Sequence, residues 1–484
     1  MPYDASHRAD PSAQQLTDTL RHVRAAYARQ PAPTARERID RLDRLHNAVL
    51  DYKDRLVAAV EADFGSRPAA ETLLMELLPV LQGIAHNRKH VRGWMRPSRR
   101  ETPLMLAPST SKVHFQPLGV IGIVVPWNFP LLLSLSPLVS AFTAGNRAMI
   151  KTSEYAPQTG AMLQEMLASA FSDEEVVVFT GGVEVATEFT KLPFDHLVFT
   201  GSTQVGRVVM RAAAENLTPV TLELGGKSPA IVHPSFPIEE AAARIALGKG
   251  LNAGQVCIAP DYLLLPRDQV DAFAEAYEAA VRKHYPTLAR NGDYTAIITE
   301  RQHDRLQGLL SDAAAKGAEV IGINPGNESL EGTCKVPMTL LKQVSDDMQV
   351  MQEEIFGPIL PLVPYDEFDD AIAYVNARPR PLALYYFDWD RARGEHVLAH
   401  THSGGVAFND VLSQGVVDDM PFGGVGPSGM GHYHGKEGFL SFSKAKPVIR
   451  KGRLDAIAFI AAPWGNRLYK AFMAFQFARF RKKR

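Results

Sequence analysis

The sequence predicts an α/β protein whose strands lie in parallel sheets covered by helices. Short apolar runs alternate with helix-patterned stretches, and the runs lack the in–out alternation of a half-solvated sheet. Val120-Ile-Gly-Ile-Val-Val125, bounded by Gly119 and Pro126, is the clearest of them. Strands of this kind separated by helices read as βαβ units. No internal repeat with a period of roughly 20 to 50 residues is present, which argues against a solenoid. A chain of 484 residues is long enough for several folding units of roughly 150 residues each.

The elements follow in order. Met1 to Gln14 is polar and lacks the apolar stretch of a signal peptide. From Leu16 to about Val91, Ile39, Leu42, Leu45, Val49 and Leu56 recur at helical steps with Arg, Asp and Lys between them, the pattern of surface helices packed on a sheet. A Pro- and Arg-rich stretch, Pro97 to Pro108, breaks that pattern. Strands are then expected at Val120–Val125, Ala148–Ile150, Val176–Phe179 and His196–Phe199. A second alternating section adds strands at Pro229–Val232, Asp261–Leu265, Ile359–Val363 and Gly405–Phe408, with a long helix at Asp268–His284. Between Gly317 and Thr339 the chain reads as irregular and surface-exposed. The tail from Ala456 to Arg484 carries Phe459, Phe472, Phe475, Phe477 and Phe480 and ends in Arg479-Phe-Arg-Lys-Lys-Arg484. Two readings of it stay open: an amphipathic basic helix on an anionic membrane surface, or a helix docked on the protein with a solvated basic end.

Composition narrows the function classes. Lys plus Arg total 52 against 53 Asp plus Glu, so the strongly basic footprint of a nucleic-acid partner is missing. Two cysteines, Cys257 and Cys334, cannot build a disulfide framework, and C-x-x-C metal spacing is absent. A reducing cytoplasm is the expected setting. No apolar run reaches the roughly 18 residues of a membrane span. His432 and His434 stand two apart without an evident third ligand, so no metal is expected.

Three residues invite chemistry. Cys257, in Asn252-Ala-Gly-Gln-Val-Cys-Ile-Ala-Pro260, is either a buried structural thiol or a nucleophile activated by helix N-termini or cations. Glu223 sits in the strand-like run Thr221-Leu-Glu-Leu224, where burial would raise its pKa and suit it to general-base work. It reads equally as a partly exposed strand-end carboxylate. Asn128, in Pro126-Trp-Asn-Phe-Pro130, follows the first strand of the parallel set, beyond whose C-terminal end ligands gather. Its amide could donate to a developing oxyanion, worth about 3 kcal/mol, or simply cap its own turn.

Taken together, these segments resemble the aldehyde dehydrogenase superfamily in order and spacing, from about Leu16 to Val448. The carriers are Pro126-Trp-Asn-Phe-Pro130, Phe199-Thr-Gly-Ser-Thr203, Leu222-Glu-Leu-Gly-Gly-Lys227, Gly254-Gln-Val-Cys257, Glu353-Glu-Ile-Phe-Gly-Pro358 and Pro421-Phe-Gly-Gly424. Gln255-Val-Cys-Ile-Ala-Pro-Asp-Tyr262 and Gly429-Met-Gly-His-Tyr-His-Gly435 are similar to the class 3-like branch. The latter, running on through Lys436-Glu-Gly-Phe439 to Phe442-Ser-Lys-Ala-Lys446, resembles the coniferyl aldehyde dehydrogenases.

That resemblance implies a Rossmann-type cofactor domain (1–98 and 117–224), an α/β thiol domain (225–432), oligomerisation segments (99–116 and 433–453) and the tail (454–484). It implies that Cys257 attacks an aldehyde, with Asn128 and the Cys257 N–H steadying the oxyanion. Hydride loss to a nicotinamide leaves a thioester, which Glu223-activated water clears. Trp127, Lys151, Glu154, Gly201, Ser202, Glu354 and Phe356 would bind the cofactor, with Lys151 and Glu154 near the adenosine ribose and Ser202 near the pyrophosphate. Glu354 would hold the nicotinamide ribose. Gly201-Ser-Thr-Gln-Val-Gly206 spaces its glycines unlike G-x-G-x-x-G. A carboxylate at Glu154 repels a 2′-phosphate, so NAD is expected first and NADP tolerated. Lys227 reads as structural. The substrate expected first is an aromatic aldehyde of the coniferyl type, then a medium-chain aliphatic one. A homodimer built by strand exchange between Arg99–Gln116 and the segment after Phe439 is also implied. Two rivals remain: a CoA-acylating dehydrogenase, which typically lacks the base at Glu223, and a non-catalytic NAD-binding structural protein.

Overall fold

The computed structural model describes residues 10–453, 458 and 462–481. From Ala13 to Trp94 the elements are helical, as expected. Helices Ala13–Arg29 and Ala35–Phe64 both open on capping boxes, Ser12 with Gln15 and Thr34 with Glu37, which satisfy backbone donors that a helix leaves free. The long helix stops at Gly65, whose φ of 69° is left-handed.

In chain order the strands begin with β1 (Ser98–Arg100) and β2 (Thr110–Pro117). Then come β3 (Val120–Val124), β4 (Arg147–Lys151), β5 (Val176–Phe179), β6 (His196–Gly201) and β7 (Val220–Leu224). The second section holds β8 (Pro229–Val232), β9 (Tyr262–Pro266), β10 (Glu319–Ile323), β11 (Met338–Lys342), β12 (Ile359–Tyr365), β13 (Ala383–Phe387) and β14 (Gly405–Phe408). Last are β15 (Gly429–Met430) and β16 (Ser443–Arg450).

They form a six-stranded sheet ordered β15-β7-β6-β3-β4-β5, a seven-stranded sheet ordered β10-β11-β12-β9-β8-β13-β14, and a three-stranded sheet β1-β2-β16. Both large sheets are parallel except for one antiparallel edge strand each, β15 and β10. Side chains of the six-stranded sheet divide by alternation, as a pleat requires. Ile121, Ile123, Ala148, Ile150 and Val198 join the core under helices Ala35–Phe64 and Pro130–Ala144. Val120, Val124, Met149, Leu197 and Phe199 join a separate core with Leu16, Leu20 and Val23 of the first helix. Burial on both faces is why these strands read as continuous apolar runs.

Three expectations change. The stretch Gly317–Thr339 is not irregular throughout: Glu319–Ile323 is β10, paired antiparallel with β11. It is an edge strand, mostly exposed although Val320-Ile-Gly-Ile323 is apolar. The segments expected to exchange strands across a dimer pair with each other within one chain, Ser443 opposite Pro117 through Arg450 opposite Thr110. The tail helix, Arg467–Phe480, is not docked: none of its residues is buried. Nor does it present one apolar face, because Phe475 and Phe477 point to opposite sides at 100° per residue. Phe459 and residues 482–484 lie outside the described residues. Strand β13, wholly buried between β8 and the edge strand β14, was not anticipated. Among the described residues no helix is long and apolar enough to cross a membrane.

Candidate active site

The order β7-β6-β3-β4-β5 turns back on itself between β3 and β6, and the crevice beyond the strand ends at such a switch is the natural ligand site. β3 runs out into Pro126–Pro130 and so delivers Asn128; β6 runs out into Ser202. β7 carries Glu223, whose neighbours in register are Thr200 on β6 and Gly429 on β15.

Cys257 reaches the crevice on a turn between the helix Ile238–Gly250 and β9. Asn252 (φ 49°, ψ 29°), Ala253 (φ 49°, ψ 38°) and Gly254 (φ 71°) are left-handed in succession. Such a conformation costs a non-glycine residue roughly 1–2 kcal/mol, so the surroundings must hold it. Gln255 is the main brace. Its fully buried amide donates to the carbonyls of Asn252 (2.9 Å) and Ala296 (3.0 Å) and accepts from Ile298 N–H (3.1 Å). Glu71 accepts from Asn252 N–H at 3.0 Å and from the Thr295 hydroxyl at 2.6 Å. At Gly254 a Cβ would lie 2.3 Å from the Gly357 carbonyl oxygen, so only glycine fits.

Asn128 is buried, and its side-chain N–H donates to the Gln255 carbonyl at 3.2 Å. Its own carbonyl accepts from the Asn252 amide (3.2 Å) and the Arg67 guanidinium (2.9 Å). The amide is therefore tied to the turn that presents the thiol.

The electrostatics differ from a thiolate held by cations. Burial, then the carboxylates of Glu354 and Glu223, push the half-buried Cys257 thiol up to about 12. The N–H groups of Cys257 and Ile258 pull the other way without winning. Burial also raises Glu223 well above the ordinary carboxylate range, and both its oxygens lack a hydrogen-bond partner. Glu354 is raised to about 8, chiefly by burial and then by Asp261, and its Oε1 is unpartnered. Its carboxylate occupies the space where a Cβ on Gly225 would stand, 2.0 Å from Oε2. Lys227 is structural: it bonds Asp261, the Val350 carbonyl (2.8 Å) and the Glu353 carbonyl (3.1 Å). Asp261 in turn accepts from Ile355 N–H at 2.8 Å, so the loop carrying Glu354 and Phe356 is anchored to the second sheet. Phe356 packs edge-on to Trp127 with ring centroids 5.3 Å apart.

The remaining expected residues gather at the ends of β4 and β6. Lys151 is buried, donating to the Gly181 carbonyl at 2.7 Å, and exposed Glu154 lies near enough to favour its charge. Gly201 ends β6, and Ser202 caps the helix Thr203–Ala214 by accepting from Val205 N–H at 3.3 Å, leaving its hydroxyl hydrogen free to donate. Beside them stand Val183, Val205 and Val208, exposed by 65%, 48% and 56% at the starts of two helices. Large apolar side chains left open beside a helix N-terminus suit a flat base attached to a phosphate. A dinucleotide therefore fits: phosphate donors, an open apolar flank and an orphaned buried carboxylate lie along one sheet edge. Sequence reading missed these valines, together with Gln255 as a brace and Arg67, Glu71 and Glu76. Gln255 lay inside a recognised motif; the charged three lay in a helical stretch that read as surface.

Residues 1–448 match the model of the aldehyde dehydrogenase family. The chain is 54% identical, over 94% of its length and 95% of the relative's, to a protein named probable coniferyl aldehyde dehydrogenase from Pseudomonas aeruginosa. It is 46% identical, over 94% and 95%, to the coniferyl aldehyde dehydrogenase of a Pseudomonas species. Among solved structures, the substrate-bound state of Staphylococcus aureus AldH matches with a TM-score of 0.89 and 36% identity, over 96% of this chain and 99% of that one. The NAD+ complex of a Mycobacterium tuberculosis aldehyde dehydrogenase matches with a TM-score of 0.84 and 28% identity, over 92% of each chain.

Proposed function

The chain belongs to the aldehyde dehydrogenase family, and we propose that Cys257, Asn128 and Glu223 are the residues with which it oxidises aldehydes to carboxylic acids. The observation that carries the assignment is the orphaned, buried carboxylate of Glu223 acting on the same space as the Cys257 sulfur. A thiol that is neutral at rest needs a nearby base, and a base with a raised pKa is well matched to take its proton near neutrality.

The steps balance as follows. Ionised Glu223 takes the Sγ proton as sulfur bonds to the carbonyl carbon, and the oxygen becomes an oxyanion facing Asn128 Nδ2 and the Cys257 N–H. The aldehydic C–H bond breaks with its electron pair, leaving a thioester on Cys257. Glu223 releases its proton to solvent, then takes one from the water that attacks the thioester. The C–S bond breaks with its electron pair passing to sulfur, Glu223 returns its proton to that thiolate, and the acid departs. NAD(P) would supply the hydride acceptor; Glu354, Phe356 and Trp127 would hold its nicotinamide end, and Lys151, Glu154, Gly201 and Ser202 its adenosine end. Val183, Val205 and Val208 offer the adenine its apolar bed. Glu154 disfavours a 2′-phosphate, so NAD is the better cofactor and NADP the poorer one.

Hydrolysis rather than CoA acylation follows from the presence of the Glu223 base. The test is Glu223→Gln: with the base of both half-reactions removed, NADH formation in a single turnover and steady-state kcat should each fall at least tenfold. Turnover at the normal rate would pass the role to another base, with Glu354 first in line. The relatives' names support aromatic aldehydes of the coniferyl type as substrates, with medium-chain aliphatic ones second. A panel ranked by kcat/KM decides between them.

We divide the chain as the resemblance implied, with cofactor residues 1–98 and 117–224, thiol residues 225–432, and a β1-β2-β16 extension serving a homodimer. The tail holds seven Lys and Arg and no Asp or Glu from Arg467 to Arg484, which supports a peripheral contact with an anionic membrane surface.

A further inference from the structure

We propose that Arg67, fixed by Glu76, is a positioning residue for the Asn128 amide, an inference that rests on Asn128 being the oxyanion donor. Arg67 follows the end of the long helix, and its side chain is wholly buried. The guanidinium is sandwiched between the rings of Phe64 (4.8 Å) and Phe129 (5.0 Å). One nitrogen donates to the Asn128 carbonyl at 2.9 Å; another lies 3.2 Å from Glu76, itself fully buried. Glu76 accepts from the N–H groups of Leu131 (2.8 Å) and Leu132 (3.2 Å) in the first turn of helix Pro130–Ala144. The pair thus grips the backbone on both sides of the Asn128 side chain, at its own carbonyl and in the helix turn just beyond.

Stability does not account for such a pair. Taking two charges out of water costs several kcal/mol per ion, and an apolar pair of similar volume is often as stable or more so. What the ions provide is direction. Asn128 is otherwise bonded through Asn252 of the left-handed thiol turn and through Gln255, which follows and braces that turn. Arg67 attaches it to the outer frame instead. The same segment contributes Glu71, which holds Asn252 N–H, so residues 67–76 register the oxyanion donor and the nucleophile turn against one another. An oxyanion donor misplaced by about 1 Å loses most of its effect, because the interaction depends on preorganised geometry.

The experiment is a double-mutant cycle on the full-length enzyme. Arg67→Met combined with Glu76→Leu removes both charges together and avoids stranding one. The expected result is a kcat lowered tenfold or more, with NAD affinity by fluorescence titration within twofold of wild type. In an Asn128→Ala background the same change should cost less than twofold, since there is no amide left to aim. Arg67→Lys, which retains a donor, should recover at least a third of the lost rate. An equal loss in both backgrounds, or no loss in either, overturns the proposal. If Asn128→Ala alone leaves kcat intact, the oxyanion reading itself fails, and the proposal with it. Should the apolar pair not fold, the cycle run with Arg67→Lys gives the same coupling test at smaller amplitude.

Discussion

Cys257 sits half-buried beside two carboxylates, where its sulfur resists ionisation, and this bears on how the thiol can be probed. With the thiol pushed up to about 12, alkylation by iodoacetamide in the absence of dinucleotide should rise about tenfold per pH unit between pH 7 and 9. A Cys334→Ser background removes the other thiol, and a plateau below pH 8 would contradict the arrangement. Cys257→Ala should abolish turnover while leaving NAD affinity unchanged. Glu354 offers a stability counterpart. Its folded pKa, about 8, exceeds the ordinary 4.5, so folding favours the protonated form. Stability is full below about pH 4.5, declines as pH rises, and the loss is complete above about pH 8. Glu354→Gln should therefore melt with wild type at pH 5 and above it at pH 9, in protein without added dinucleotide. The sequence displayed Cys257, Glu223 and Asn128 as residues, since each stands beside a turn signal or an apolar run. It could not display the state of the thiol, because the carboxylates that oppose ionisation lie 34 and 97 positions away in the chain.

The turn Asn252–Gly254 is the element on which the site depends most. Its left-handed residues persist because Gln255 makes three hydrogen bonds to backbone groups. Gln255→Leu leaves the Ala296 carbonyl and the Ile298 N–H without that partner, each costing roughly 1–3 kcal/mol if it stays buried, while the Asn252 carbonyl keeps only the Gln255 main-chain N–H. The expected outcome is a fall in Tm by several degrees and a kcat reduced by at least tenfold, with the aldehyde KM changed less. A variant with normal kcat would show that the turn holds without its brace. Parallel strands were readable because both their faces are buried. β10 escaped notice as an exposed edge, and β13 because Tyr385 and Tyr386 spend their hydroxyls on the Ile258 carbonyl and on Asp388 rather than declaring themselves apolar. Arg67, Glu71 and Glu76 escaped for a different reason. Charged residues in a helical stretch read as solvated, and only partners some 50 to 220 residues away make them core.

For the molecule as a whole, the tail helix stands apart from both large sheets. Removing residues 454–484 should leave kcat/KM within twofold of the full chain. If the tail meets membranes, the full chain should float with vesicles rich in anionic lipid and the shortened chain should stay behind, with the difference fading as salt is raised. Equal flotation of both chains would remove the tail from that role.

The β2–β16 ladder has one more consequence, and it concerns time rather than chemistry. It joins Thr110–Pro117 to Ser443–Arg450, and β15 likewise reaches back to β7, the strand that carries Glu223. A nascent chain emerging from the ribosome can assemble its first core long before either late strand exists. Until they arrive, the outer edge of β7 is an unpaired, aggregation-prone border. The sheet that carries Glu223 closes its edge only when a strand made about 200 residues later arrives.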